Sequence, residues 1–320
     1  MTRAATSPFR LPDFIIGGAP KCGTTSVHFI LGQNPSIGLP DEEIHYFDAD
    51  DPITHPDFLH VQNGTLEWFD TSAVHTANLE WYRQRFHPFA DMPIVGEDST
   101  TYLFSEAAPE RIKALLPDAK LIFMLRDPVK RAYSQYWHLI CSGRLTCSFE
   151  EGLLRHTSII LGSTYAPHLA RYLKVFGEEK VKAVIFEDFI GDQQAQINDI
   201  TDYLTAPRMD LATAQTWFNQ TSYPTHPKAQ QWLNWVGSKV VAKRYRNHMG
   251  GNDGWADSMR RKTHYRWFRY INPILLKAPK PPPMQDVTRT FLQQHLSARN
   301  AGLSDMMGRD LSKVWQGFTG

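Results

Sequence analysis

One short segment constrains this chain more than any other: an apolar run that ends in glycines and passes into a stretch of small and hydroxyl residues. Phe14, Ile15 and Ile16 form a continuous apolar run closed by Gly17 and Gly18, as a strand buried on both faces does. Residues 25–33 then read as a helix carrying Val27, Phe29, Ile30 and Leu31, stopped at Asn34-Pro35. Strand, glycine loop and helix are the opening of a βαβ unit. Such a unit is completed only by further parallel strands.

The pattern recurs. Short strands are predicted at 93–96, 120–125 and 182–186, with helices at 105–116, 128–141, 165–176 and 193–204. Pro128 suits the first helical position after the strand at 120–125. Alternating strands and helices predict an α/β fold, with a central parallel sheet in a three-layer α/β/α arrangement. After about residue 207 the character changes. Trp217, Trp232, Trp235, Trp255 and Trp267 crowd together, and residues 237–270 hold nine Lys or Arg against two Asp. The segment 277–283 is a stiff proline connector, and helices are expected at 286–296 and 303–315, so the C-terminal part is mainly helical.

Composition removes several classes. A chain of 320 residues with 42% hydrophobic and 21% charged residues buries a full core and is neither disordered nor low in complexity. A net charge of +1 gives no global field for nucleic acid. Cys22, Cys141 and Cys147 are too few and too irregular for a disulfide framework or a zinc site, and fit a reducing compartment. No apolar run reaches the roughly 18 residues of a membrane helix, and residues 1–12 lack the apolar centre of a signal peptide. The expectation is a cytoplasmic protein with no membrane span.

The chemistry concentrates in the loop Gly17-Gly18-Ala19-Pro20-Lys21-Cys22-Gly23-Thr24-Thr25-Ser26. Glycines permit close backbone approach, the following helix start offers free N–H groups and a positive dipole end, and Lys21 adds a full charge. The result is a phosphate cradle. It departs from the G-x-x-x-x-G-K-[ST] pattern of nucleotide triphosphatases: Gly18 and Gly23 have the spacing, but Thr24 occupies the lysine position and the lysine lies inside the loop. A second anion-holding element follows the strand at 120–125, where open α/β sheets bind ligands. There Arg126 and, eight residues on, Ser134 can hold a dianionic phosphate. Taken alone, the first loop also reads as a glycine turn capping a core helix, and Arg126 also reads as an ion-pair partner of Asp127.

Together these motifs resemble a family. Pro20-Lys21-Cys22-Gly23-Thr24-Thr25-Ser26 resembles the 5′-phosphosulfate loop of sulfotransferases that use 3′-phosphoadenylyl sulfate (PAPS). Residues 126–136, Arg126-Asp127-Pro128 through Arg131 and Ser134 to Tyr136, resemble the family's 3′-phosphate motif. Glu42-Glu43-Ile44-His45-Tyr46-Phe47-Asp48 resembles a stretch of the heparan-sulfate-type and bacterial branch. The resemblance runs from about Phe14 to Trp315 and implies a P-loop-NTPase-like fold, a single domain over 13–316, PAPS as sulfuryl donor, adenosine 3′,5′-bisphosphate (PAP) as product, and no metal. It implies that Lys21, Cys22, Gly23, Thr24, Thr25, Ser26, Arg126 and Ser134 bind the donor. It makes Glu43 the base, with a pKa expected above the free value when covered by the acceptor. His45 and Asp48 organise the acceptor side.

Two departures stand out. Asp98 occupies a position near the reaction centre where polysaccharide-modifying relatives carry lysine, and the disulfide-closed basic loop of the Golgi enzymes is missing. Residues 219–228 are the substitute, with Tyr223 on the adenine side and Lys228 near the 3′-phosphate; a plain surface loop accounts for either equally well. The aromatic, basic stretch within 207–283 is either an acceptor lid or a helical insert with a solvated basic face. The acceptor is expected to be a small molecule or glycoside carrying a hydroxyl, or an amine. Competing readings are a P-loop kinase or NTPase, and a non-catalytic nucleotide- or polyanion-binding protein.

Overall fold

A computed structural model of the chain describes residues 10–56, 59–68, 78–212, 222–240, 259 and 266–320. Trp217, Trp255 and most of the basic stretch 237–270 lie outside the described residues. The strands are β1 (Phe14–Gly18), β2 (Ile37–Gly38), β3 (Leu59–Gln62), β4 (Thr65–Trp68), β5 (Ile94–Asp98), β6 (Lys120–Leu125), β7 (Val181–Ile185), β8 (Tyr223–Pro224) and β9 (Leu276–Ala278). The α-helices are α1 (Thr24–Gly32), α2 (Leu79–Phe86), α3 (Ala108–Leu115), α4 (Pro128–Cys141), α5 (Phe149–Arg155), α6 (Thr157–Leu161), α7 (Ala166–Phe176), α8 (Phe186–Gly191), α9 (Gln193–Leu204), α10 (Pro227–Val240), α11 (Asp286–Arg299) and α12 (Leu303–Met306). No described helix is long and apolar enough to cross a membrane.

Among the described residues the central sheet has five strands in the order β2-β5-β1-β6-β7, all parallel. Its middle strands are apolar along their whole length because both faces are covered: Phe14, Ile15, Ile16 and Leu121 to Leu125 are fully buried. The pairing that matters most is β1 with β6, where Ile16 faces Ile122 and Gly18 faces Phe123. Parallel neighbours end on the same side. The loop after β1 and the start of α4 after β6 therefore open into one crevice.

The caps show why α1 and α4 start where they do. Gly23 stands at the N-cap of α1 with φ 91, and a Cβ there would meet the Phe186 ring at 2.7 Å. Asp127 caps α4 by accepting from Val129 N and Lys130 N at 2.9 and 3.0 Å, with Pro128 following it.

The C-terminal segment is sewn into this core. Trp315 is fully buried, donates through Nε1 to Glu187 Oε2 at 2.9 Å, and packs with Leu303, Leu311 and Phe318 in the main apolar cluster. Arg309 pairs with Asp188, and the side chain of Asn300 accepts from Tyr165 N and Ala166 N. Leu292 and Leu296 of α11 pack against the Trp137 and Ile140 side of α4. The helix expected over 303–315 is instead α12, a turn, and a 3-10 turn at Leu311–Lys313; Gly308 at φ 61 breaks it. Trp315→Ala is expected to cost about 3–5 kcal/mol of folding stability. Urea unfolding checks this, and a loss under about 1 kcal/mol would show that the C-terminal segment is not part of the core.

Candidate active site

The loop after β1 holds its shape through its backbone. Lys21 adopts a left-handed conformation, φ 72, which costs a non-glycine residue about 1–3 kcal/mol and must be held by its surroundings. Two arginines of the second motif hold it. Arg126 Nη1 donates to the Lys21 carbonyl at 3.2 Å, and Arg131 Nε donates to the Pro20 carbonyl at 3.0 Å. Arg131 is fully buried and also donates to the carbonyls of Ser158 and Ile159 at 2.8 and 3.1 Å. It faces carbonyl oxygens rather than a carboxylate, so its charge adds to the positive potential under the loop. Arg126 lies with its guanidinium 4.8 Å from the Phe186 ring centre, and its buried Nε has no partner among the described residues.

This geometry concentrates positive charge. The Lys21 pKa is lowered by burial, then by Arg131 and Arg126. Its Nζ lies 3.5 Å from His138 Nδ1, on the same face of α4 as Ser134, one helical turn away. Gly23 brings no capping side chain and the first turn of α1 has no acidic residue, so that helix start keeps its affinity for anions. Thr25 and Ser26 are partly exposed at this end, whereas Thr24 is buried. Cys22 turns the other way. Its thiol is fully buried near Tyr165 Oη at 3.8 Å, its pKa is pushed up to about 11 by burial, and its N–H goes to the Ala19 carbonyl at 3.2 Å. It packs the loop onto the core and offers no donor at the mouth.

Glu43, which acts electrostatically on Lys21, is paired with His45. Glu43 Oε2 lies 3.2 Å from His45 Nε2 and accepts from Thr100 Oγ1 at 3.0 Å. Burial pushes the carboxyl up, but the His45 hydrogen bond and charge and the Thr100 donors outweigh it and hold the pKa at about 2. The rise expected when an acceptor covers this carboxyl is a separate condition; in the protein alone its own donors set the direction. The partners are on the protein itself: burial also works against the charged form of His45, yet Glu43 and then Asp48 raise its pKa, so the two residues form an ion pair. The Glu43 side chain is still 43% exposed, and its carboxylate is open to a ligand.

His45 has φ 53 and is braced from below. Ser99 Oγ accepts from Ile44 N and His45 N at 3.1 and 2.9 Å and donates to Glu97 Oε1 at 2.9 Å. Glu97, fully buried at the end of β5, also accepts from the hydroxyls of Tyr82 and Tyr102. Burial raises its pKa to about 7 despite these donors. Asp48, read as an acceptor-side residue, is 0% exposed and cannot touch an acceptor: it accepts from Thr101 Oγ1 at 2.5 Å and lies 2.9 Å from His55 Nε2. Asp98 is 6% exposed and pairs with His28 Nδ1 at 3.2 Å, with its pKa raised to about 6 by burial. Thus Asp98 is turned towards α1, where His28 is its partner.

The remaining expected residues come from β8 and α10. Tyr223 packs edge-on to Trp137 at 6.1 Å, one turn from Ser134, while Lys228 is exposed on the first turn of α10. Sequence reasoning passed over Arg131, Glu97, Ser99, Thr100, Thr101 and His138. Arg131 stood inside the second motif, and an acidic residue directly following a buried Val-Gly step was the available sign of Glu97.

Glu97 makes a pH prediction. A carboxyl whose folded pKa of about 7 exceeds its unfolded value of about 4.3 favours the folded state while protonated. That contribution is complete below about pH 4.3 and is lost as pH rises through 7. Glu97→Gln should therefore remove one downward contribution to stability between about pH 5 and pH 7.5, leaving the background set by Asp98, His45 and His168. Urea titrations at several pH values check this, and equal slopes in both proteins would contradict it.

Comparison with known proteins agrees with this geometry. A model of the sulfotransferase family matches residues 12–210. The human heparan sulfate glucosamine 3-O-sulfotransferase 6 is 27% identical over 230 residues, 69% of this chain and 60% of that protein. The mouse heparan sulfate glucosamine 3-O-sulfotransferase 3A1 is 28% identical over 231 residues, 69% of this chain and 52% of that protein. The chain thus spans little more than half the length of these curated relatives. A solved sulfotransferase from Alicyclobacillus acidocaldarius superposes with a TM-score of 0.60 and 25% identity, covering 95% of this chain and 98% of that one. With a family match over more than half its length, both phosphate-type motifs opening into one crevice and this likeness in fold, the chain belongs to the sulfotransferase family.

Proposed function

We propose that the protein transfers a sulfuryl group from PAPS to a hydroxyl of a small-molecule or glycoside acceptor, releasing PAP. The observation that carries this reading is the Arg126 guanidinium resting on the carbonyl of Lys21, which gives one crevice two cationic groups from two phosphate-type motifs. The donor fits the residues present: a buried Arg126 Nε without a partner among the described residues, an uncapped helix start at Gly23, and a lysine held against the crevice. In this reading Lys21, Thr25, Ser26 and the first N–H groups of α1 hold the 5′-phosphate, with Gly23 and Thr24 shaping the turn. Arg126 and Ser134 hold the 3′-phosphate. Tyr223 borders the adenine, and Lys228 flanks the 3′-phosphate from α10.

When bound, PAPS supplies the sulfuryl group; the chain supplies charge and proton acceptance. The Lys21 ammonium stabilises negative charge growing on the leaving phosphate. Glu43 Oε2 accepts the acceptor proton. A carboxylate held at about 2 is a weak base, and the reaction tolerates this because the acceptor oxygen becomes acidic only once its bond to sulfur has begun to form. His45, favoured in its charged form, orients the Glu43 carboxylate rather than acting as the base. Asp48 holds His45 from behind. We further propose that residues 13–316 act as one domain, with an acceptor lid within 207–283. The transfer step itself needs no metal. The free thiols of Cys22, Cys141 and Cys147 support a reducing, cytoplasmic setting.

Three outcomes are expected. PAP raises the melting temperature in the absence of magnesium, by an amount equivalent to about 2.7 kcal/mol at 100 times its Kd, whereas Mg-ATP does not; the reverse ranking would favour a P-loop kinase. Lys21→Ala loses about 2–4 kcal/mol of transition-state stabilisation, read as kcat/KM in a PAPS-coupled assay, and near-normal turnover would remove Lys21 from the mechanism. Glu43→Gln keeps the PAP-induced melting shift while turnover collapses. Loss of the shift instead would assign Glu43 a role in holding the fold.

A further inference from the structure

We propose that His45, Asp48 and His55 form a binding site for one divalent transition-metal cation of the zinc class, directly behind the Glu43–His45 pair. Each of the three offers one ligand atom, and these atoms all lie within 4.8 Å of one another. His55 Nε2 and Asp48 Oδ1 are 2.9 Å apart, and His45 Nδ1 and Asp48 Oδ1 are 3.9 Å apart. The Thr101 hydroxyl stands 3.2 Å from both His45 Nδ1 and His55 Nε2, at a fourth corner. A zinc ion with bonds of about 2.0–2.1 Å sets its tetrahedral ligands about 3.3 Å apart. The separations at Asp48 and Thr101 run from 2.9 to 3.9 Å, and the two histidine nitrogens lie within 4.8 Å, so small side-chain shifts bring the atoms to that spacing.

A second observation concerns the outer shell. A metal-bound histidine characteristically donates its other ring N–H to a carboxylate, which fixes the tautomer. His45 has that arrangement ready-made. Nδ1 faces Asp48 and Thr101, while Nε2 lies 3.2 Å from Glu43 Oε2. A cation on Nδ1 replaces a proton there and leaves Nε2–H on Glu43. Two carboxylates flank the His45 ring, Glu43 Oε2 at 3.2 Å from Nε2 and Asp48 Oδ1 at 3.9 Å from Nδ1. Asp48 is 0% and His55 6% exposed, and Thr101 takes the remaining corner. The site is therefore closed, which suits a tetrahedral ion with nitrogen and oxygen ligands rather than a hydrated magnesium ion. Its role is to fix the imidazole that orients Glu43, not to join the transfer step.

The test is titration of chelator-treated full-length protein with Co²⁺ and Zn²⁺, followed by visible absorption and calorimetry. The proposal expects one equivalent per chain, the intense visible bands of tetrahedral Co²⁺, and displacement of cobalt by zinc. His55→Gln and Asp48→Asn should each abolish that equivalent. Glu43→Gln should weaken it by about 10–100-fold as an outer-shell change. The PAP-induced melting shift, measured on each variant, reports that the fold is intact. A wild-type protein that takes up no stoichiometric cobalt, gives only the weak spectrum of octahedral cobalt, or binds equally with folded His55→Gln would overturn the proposal. The wild-type titration decides even where a variant fails to fold. A wild-type protein that binds the metal but shows no PAP shift would sink the sulfuryl-donor reading and leave this site standing.

Discussion

The parallel pairing of β1 with β6 is the constraint on which the rest depends. It brings the Lys21 loop and the Arg126 turn, 105 residues apart in sequence, to the same edge of the sheet, where Arg126 donates to the Lys21 carbonyl. Three positive groups, Lys21, Arg126 and Arg131, then crowd one region, where the two arginines act on Lys21 more strongly than the Glu43 carboxylate does, and each lowers the cost of bringing in an anion while raising the cost of leaving the region empty. The apolar strands supply the stability that this arrangement consumes. The buried run from Leu121 to Leu125 lies directly under the charged turn.

Both halves of the site rest on a non-glycine residue in the left-handed region, Lys21 on one side and His45 on the other. Neither conformation persists unaided. Carbonyl contacts from Arg126 and Arg131 hold the first, and the Ser99 hydroxyl, itself anchored on Glu97, holds the second. The site is thus prepared in advance, in part by Arg131, Ser99 and Glu97, to which no contact with a ligand is assigned. Phe186 closes the arrangement, lying against Gly23 on one side and Arg126 on the other.

The elements that could be read from the sequence are those where one physical signal dominates. β6 and α4 match their expected limits because an apolar run meets a proline and an aspartate cap, and α9 matches because its apolar spacing is regular. β5 was cut short because it ends in Glu97 and Asp98, whose burial depends on hydroxyls and His28 brought in from distant positions. The β3–β4 hairpin was missed although Asn63 and Gly64, with φ of 52 and 81, form the expected two-residue turn. Helices α2, α5 and α8 are short, with mixed faces, and tertiary packing decides them. At the site, motif resemblance singled out Lys21, Arg126 and Glu43 as candidates. It could not show that Cys22 and Asp48 point inward, because a side chain's direction at a loop depends on what the rest of the fold leaves open.

The central claim is that one doubly phosphorylated nucleotide spans the two motifs. A crystal structure of the protein with PAP tests it most directly. The account predicts the 5′-phosphate within hydrogen-bonding distance of Lys21 Nζ and the first N–H groups of α1, and the 3′-phosphate on Arg126 and the Ser134 hydroxyl. A nucleotide bound elsewhere, or with both phosphates on one motif and Arg126 still resting on the Lys21 carbonyl alone, would contradict it.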